Sequence, residues 1–140
     1  MVITDSPVLL ALQRATHATL QLITAELADL DLTAAEINAL ANLADGKGCT
    51  VSELGAAIGT RPTTLTSVLD RLERRECISR TAHPTDRRAV LIELTDRGRT
   101  TASAISEGFA RVESRALEHV DAAAIAGFHT VVEALREAGR

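Results

Sequence analysis

Guanidinium and hydroxyl groups are the side chains of this chain best placed for chemistry, and they gather in two neighbouring segments. Arg61, Thr63, Thr64, Thr66, Ser67, Asp70 and Arg71 come first, and Arg80, Arg87 and Arg88 follow. Short hydroxyls and planar guanidiniums on an exposed helix suit the base edges and phosphates of a major groove. A merely solvated helix in an acidic protein would display Glu and Lys, and this segment holds no Lys. Arg87 and Arg88 lie between two strand-like runs, where a guanidinium can enter a minor groove and meet its negative potential.

Catalytic chemistry has no comparable signal. His17, His83, His119 and His129 are scattered, none in an HExxH or Ser/His/Asp arrangement, and Gly46-Lys47-Gly48 lacks the frame of a phosphate-binding loop. No catalytic residue, cofactor or metal ligand is therefore expected. A metal-sensing alternative rests on His119 and His129, near the ends of facing helices, approaching a carboxylate. Cys49 and Cys77 make no CxxC or zinc-ribbon spacing. Structural thiols are the default for both, with redox sensing as the alternative: Arg74 and Arg75 before Cys77, and a helix start after Cys49, favour a thiolate, whereas Glu76 opposes one.

Holding these groups in place requires a folded scaffold. The chain has 140 residues, 46% of them hydrophobic, which suits one domain spanning 1–140 and excludes a disordered chain. Aromatics are only 1%, which removes a stacking platform for single-stranded nucleic acid. The start, Met1 to Pro7, has no basic leader region, and no uncharged apolar run approaches the ~18 residues of a membrane span, so a cytoplasmic protein without membrane contact is expected.

Helix starts are marked by capping chemistry. Thr33-Ala34-Ala35-Glu36 reads as a reciprocal capping box with Leu32 and Ile37 as staple, opening a helix over about 34–44. Thr50-Val51-Ser52-Glu53 repeats the device, and that short helix should stop at Gly59. Thr60 is the expected cap of the next helix, with Pro62 in its first turn and Leu65, Val68, Leu69 and Leu72 at helical spacing up to about Arg75. Leu54, Gly55, Ile58, Gly59, Leu65 and Val68 then form a helix-turn-helix pattern, with a small residue at the crossing and a glycine in the turn.

The period changes at Ile78–Thr81 and Ala89–Leu94, β-branched runs that read as a two-stranded hairpin leaning on the helices. Thr95 should cap a long helix carrying Ala102, Ile105, Phe109, Val112 and Ala116, and Asp121 a last one carrying Ile125, Phe128, Val132 and Leu135. A first helix over about 7–29 carries Leu20, Ile23, Leu27 and Leu30. These terminal helices hold more apolar stripe than one short chain covers, which implies a homodimer. The expected architecture is mainly α with a minor β part: dimerisation helices at 1–32 and 100–140 around a winged helix-turn-helix at 33–99.

Asp86-Arg87-Arg88-Ala89-Val90-Leu91-Ile92-Glu93-Leu94-Thr95-Asp96-Arg97-Gly98-Arg99 resembles the wing signature of MarR-type winged helix-turn-helix regulators, DxRxxxxxLTxxGR, and Leu69-Asp70-Arg71-Leu72-Glu73 is similar to the end of their recognition helix. The resemblance extends in element order from about residue 8 to 138. It implies homodimers on pseudo-palindromic duplex DNA, usually repressors, often released by a small lipophilic or phenolic ligand near the junction of dimerisation and DNA-binding parts. It implies further that Arg88 is the wing-tip arginine and Asp86 the carboxylate holding it in pose, that Thr63 to Ser67 face the major groove, and that Arg71 is structural or phosphate-directed. Thr95 would cap the helix after the wing, Gly98 would permit close packing, and His17 and Phe109 would contribute to a ligand pocket.

The chain departs from this pattern where the recognition helix ends. Glu76 stands where a glycine is common, at a cost of about 1 kcal/mol if that residue is left-handed. Ser67 stands where some members have an arginine, which moves base reading towards hydroxyls, water and the wing. A winged-helix dimer acting through protein contacts, as antagonist of another regulator, is the competing class.

The formal net charge of −4 argues against nucleic acid only if the charges are evenly spread. Residues 60–99 hold nine arginines against six acids, a local +3, so the remainder carries −7. The positive share coincides with the helix and hairpin that would read a duplex.

Overall fold

A computed structural model describes residues 6–140. The first five residues, part of the expected N-terminal dimerisation segment, lie outside the described residues. The chain is mainly α-helical with a small antiparallel sheet, a winged helix-turn-helix flanked by long terminal helices.

Helix α1 (Val8–Glu26) leads through a 3-10 turn (Ala28–Leu30) to α2 (Ala34–Asn42), β1 (Cys49–Thr50), α3 (Val51–Ile58) and α4 (Pro62–Arg74). Strands β2 (Ile78–Ala82) and β3 (Val90–Leu94) follow, then α5 (Asp96–Ala116) and α6 (Ala122–Ala138). The sheet order is β1-β3-β2, with Ile78 opposite Leu94, Ala82 opposite Val90, and Cys49 opposite Ile92. The expected two-stranded hairpin is thus a three-stranded sheet. A two-residue strand leaves no alternation pattern, and its partner β3 lies some forty residues along the chain. Pairing on that side covers one edge of β3 and ties the wing to the start of α3.

Most expected caps form. Thr50 accepts from Glu53 N and Glu53 returns to Thr50 N, completing a capping box. Thr95 accepts from Gly98 N, Asp121 from Ala124 N, and Gly59 ends α3 with φ 64°. Two caps differ from expectation. Arg61, not Thr60, is the N-cap of α4, without a side-chain cap bond, because Pro62 takes the first helical position where its missing N–H costs nothing. Thr33 does accept from Glu36 N, but Glu36 is not free to return the bond to the Thr33 amide. Its carboxylate accepts from the Thr33 hydroxyl at 3.1 Å and turns inward.

The core sits among α2, α3, α4, the sheet and the first half of α5. Leu40, Leu43, Leu54, Val68, Leu69, Leu72, Ile92 and Ile105 are almost wholly buried. The apolar face of α4 is therefore fixed by Leu65, Val68, Leu69 and Leu72, the three leucines each worth about 2–5 kcal/mol against truncation to alanine. Ile23 and Leu27 of the first stripe join this core, whereas Leu20 is exposed. Helix α6 buries no residue within the chain, and Val8, Leu9, Leu22, Leu117, Val120, Phe128 and Val131 are exposed.

Candidate nucleic-acid interface

With its inner face committed to the core, α4 turns Arg61, Thr63, Thr64, Thr66 and Ser67 outward, and all five are exposed. Thr66 spends its hydroxyl proton on Pro62 O at 3.0 Å, so it meets the outside as a methyl and an acceptor. Arg61, Thr63, Thr64 and Ser67 make no side-chain hydrogen bond among the described residues. They form a short polar ridge at the helix N-terminus, the end whose dipole favours phosphate.

Two anchors aim that ridge. Arg71 and Arg75 project from the last turns of α4 onto Glu36 of α2, Arg71 Nε to Oε1 at 3.1 Å and Arg75 Nη1 to Oε2 at 3.6 Å. Glu36 is only 3% exposed, so it leaves water solely because two guanidiniums face it. Its Oε2 has no hydrogen bond of its own. Arg75 also donates to the carbonyls of Asp31 and Leu30, at 2.5 Å and 3.0 Å, tying the end of the recognition helix to the turn after α1. This arrangement supports the structural rather than the phosphate-directed reading of Arg71.

The second anchor is Arg80 on β2. It donates to Asp70 Oδ1 at 2.7 Å and to Glu73 Oε2 at 2.5 Å, and both carboxylates raise its pKa further. Arg80 thus clamps wing to helix with its guanidinium already engaged. The sequence showed Asp70, Glu73 and Arg80 as separate charges. Only the packing of β2 beside α4 makes them a cluster.

At the wing tip, Asp86, Arg87 and Arg88 are exposed. Asp86 Oδ1 accepts from the backbone N–H of Arg88 at 3.0 Å, so it poses the arginine through its main chain rather than its guanidinium. A recess of about 540 Å³ lies between Asp86 and Arg88 on one side and Thr50 to Ser52 at the start of α3 on the other. The wing therefore stands next to the helix-turn-helix. His83, which sequence reasoning set aside with the other histidines, belongs to this turn: its Nδ1 accepts from the amides of Thr85 and Asp86.

The positive share of residues 60–99 separates into working and structural charges. Arg71 and Arg75 face Glu36, Arg80 faces Asp70 and Glu73, Arg97 faces Glu76, and Arg99 faces Asp96. Among the described residues Arg61, Arg74, Arg87 and Arg88 have no ion-pair partner; Arg74, in the last turn of α4, donates its Nε to Asp70 O at 3.4 Å, and the other three stand at the start of α4 and at the wing tip. Exposed, unneutralised charges at a helix start and a wing tip are the electrostatic footprint expected of a duplex-binding surface.

Glu76 adopts φ 59°, the left-handed conformation foreseen for the residue after α4. Directly beyond it, Gly98 packs against the Cys77 carbonyl, where a Cβ would lie 1.8 Å from the oxygen. Cys77 is buried. Burial, Glu53 and Asp45 push the Cys49 thiol up, the reverse of what its place before a helix start suggested. His119 is almost fully exposed, and no group of three metal-ligating side chains gathers among the described residues.

The two expected ligand-site residues do not come together. Phe109 lines a largely apolar cavity of about 490 Å³ walled by α1, α5 and α6, with Ile23, Val112, Ile125 and Phe128 beside it and Thr19 and Glu113 as its polar groups. His17 lies outside that cavity, its ring within 3.3 Å of Gln21 on the exposed face of α1. The position of a residue around α1 is set by how that helix packs, which a single histidine does not signal.

Comparison with known proteins agrees with this fold. The model of the MarR family matches residues 32–90. The HTH-type transcriptional repressor MdtR of Bacillus subtilis (strain 168) is 36% identical over 67 residues, covering 48% of this chain and 43% of that protein. The match thus spans less than half the length of this relative. A MarR-family regulator from Listeria monocytogenes, crystallised with 26mer DNA, superposes with a TM-score of 0.84 at 17% identity over 94% of this chain and 88% of its own. BpsR of Bordetella bronchiseptica, whose structure concerns regulation of its DNA binding by 6-hydroxynicotinic acid, gives a TM-score of 0.78 at 22% identity, covering 95% of each chain.

Proposed function

We propose that the chain, which matches the MarR family over its winged-helix module, is a homodimeric transcriptional regulator of that family, a repressor that binds a pseudo-palindromic duplex operator and is released by a small lipophilic or phenolic ligand. The observation that carries the reading is that exposed guanidiniums without an ion-pair partner stand at both expected contact points, Arg61 at the start of α4 beside the exposed Thr63, Thr64 and Ser67, and Arg87 and Arg88 at the wing tip. In this reading the α4 hydroxyls meet base edges and Arg88 enters the minor groove, while Arg71 holds α4 on α2 and Arg80 holds the wing on α4. Such a protein acts in the cytoplasm, where its operator is.

The exposed apolar residues of α1 and α6 support the dimer, because a second copy would cover side chains this chain leaves in water. Two copies would double the basic face into patches about one DNA turn apart. The cavity around Phe109 is the proposed ligand site, with apolar walls for a ring and Thr19 or Glu113 for a phenolic hydroxyl. It is walled by the same helices that would set the spacing of the two recognition helices, so filling it couples to DNA binding.

The test is a gel-shift titration of the purified protein on a duplex carrying its own upstream region. Affinity falls steeply as salt rises. Arg88→Ala weakens binding at least tenfold while the unfolding midpoint stays unchanged. Equal binding by that variant removes the wing assignment, and absence of any shift by the wild type leaves the protein-contact reading.

A further inference from the structure

The wing turn contains a titratable group that a pure scaffold would not need. Pro84 has no N–H, so the first amides free to be capped after His83 are those of Thr85 and Asp86. His83 Nδ1 lies 3.2 Å from Thr85 N and 3.1 Å from Asp86 N, with the Thr85 hydroxyl at 3.4 Å. An imidazole nitrogen accepts only when it carries no proton, so this arrangement assigns the proton of the neutral ring to Nε2. From there the order is passed on. Asp86 Oδ1 accepts from Arg88 N at 3.0 Å, Asp86 O accepts from Ala89 N at 3.1 Å, and His83 N donates to Ala89 O at 3.2 Å.

We infer that His83 is a positioning residue for DNA binding: its neutral imidazole caps the wing turn and thereby fixes the backbone that carries Arg87 and Arg88. The inference rests on the duplex-binding reading above. Two amide bonds to one exposed nitrogen are worth about 0.5–1.5 kcal/mol each, enough to decide whether an exposed turn keeps one conformation. Binding DNA with a disordered wing would have to supply that ordering free energy from the contacts themselves.

Protonation reverses the chemistry at one atom. A proton on Nδ1 turns an acceptor into a donor facing two donors, and the cap opens. The charged groups on the turn and on the elements beside it are Asp86, Arg87 and Arg88 in the turn, Arg80 on β2, Glu93 on β3 and Glu53 in the first turn of α3, whose start shares a recess with Asp86 and Arg88. If His83 merely added charge, acidification would strengthen its attraction to phosphates. A capping role predicts the opposite sign, which makes pH a discriminating variable.

The experiment compares wild type, His83→Ala, His83→Asn and Arg88→Ala by DNA titration at pH 8 and pH 5.5, with nitrogen-15 spectra of the free proteins. Asparagine presents a side-chain oxygen that caps the same amides and does not titrate. His83→Ala is expected to weaken binding about fivefold to tenfold at pH 8, and His83→Asn to restore it to within about twofold. On acidification the wild type loses affinity relative to His83→Asn, and the Thr85 and Asp86 amide signals shift together with the His83 ring. Unchanged binding by His83→Ala in a protein that Arg88→Ala does weaken overturns the inference and leaves DNA binding intact. Wild-type binding that strengthens on acidification relative to His83→Asn overturns it as well. Failure of the wild type to bind duplex at all refutes the function itself, and the amide shifts still report whether the cap exists.

Discussion

Gly98→Ala is the sharpest perturbation of the joint between wing and α5. A Cβ built on Gly98 lies 1.8 Å from Cys77 O and 2.8 Å from Cys77 C, where real contacts stay above 3.0 Å. The obstacle is backbone, so no rotamer relieves it. Cys77 is held by its own N–H to Leu72 O and by Thr95 N to its carbonyl, both at 3.0 Å. Separation therefore breaks the Thr95–Cys77 bond and disturbs the Thr95 cap, about 1 kcal/mol each, and adds about 1–3 kcal/mol of overpacking. The sum is about 3–5 kcal/mol, or about 10–15 °C in Tm at about 3 °C per kcal/mol for a chain of this size. Urea unfolding followed by circular dichroism at fixed protein concentration measures it, with m unchanged. Gly108→Ala serves as comparison: its Cβ meets the Leu27 Cδ2 methyl at 2.5 Å, a side-chain end that can swing away, for about 1–2 kcal/mol. Gly98→Ala within 1 kcal/mol of wild type, or milder than Gly108→Ala, refutes the close-packed joint.

Two further perturbations address the anchors. Arg71→Met with Arg75→Met leaves the buried Glu36 carboxylate uncompensated and is expected to cost about 2–3 kcal/mol, less than a fully buried pair because both guanidiniums are about two-fifths exposed. Adding Glu36→Gln to that double variant should recover part of the loss in urea unfolding; a further loss contradicts the ion-pair account. Glu26 of α1 is held by Arg111 and Arg115 of α5, each at 2.8 Å, and hydrogen bonds from Arg115 and then Arg111 lower its pKa from 4.5 to about 2. A depressed carboxylate stabilises the fold fully above its unfolded value, so Glu26→Gln lowers Tm at pH 7. The difference from wild type shrinks below pH 4.5 and closes near pH 2, and a pH-independent difference excludes the clasp.

Much of the architecture was legible because its signals are local. Caps at Thr50, Thr95 and Asp121 work through an amide three residues on, and the apolar stripe of α4 repeats within one helix. Gly98 was likewise readable from the wing pattern, and Glu76 from the end of the recognition helix as the residue that would bear a cost if left-handed, the conformation it adopts. The third strand was not, because Cys49 and Thr50 find β3 only after the chain has folded back. Thr60 looked like the better cap by residue type, yet Pro62 set the helix start one residue later.

Of the candidate site, residue types and spacing marked out Arg61, Thr63, Thr64 and Ser67 and the tip of Asp86, Arg87 and Arg88, all of which the fold leaves exposed. They also located the positive share of an otherwise acidic chain between residues 60 and 99. Which of those arginines remain free was settled by three-dimensional neighbours: Glu36 claims Arg71 and Arg75, and Asp70 with Glu73 claims Arg80. The same folding separated His17 from Phe109 and brought His83 onto the wing amides. Helix caps and periodicity depend on atoms within a turn or two of each other. Ion pairing depends on distance through space, so charge can be counted along a chain but assigned to partners only in its fold.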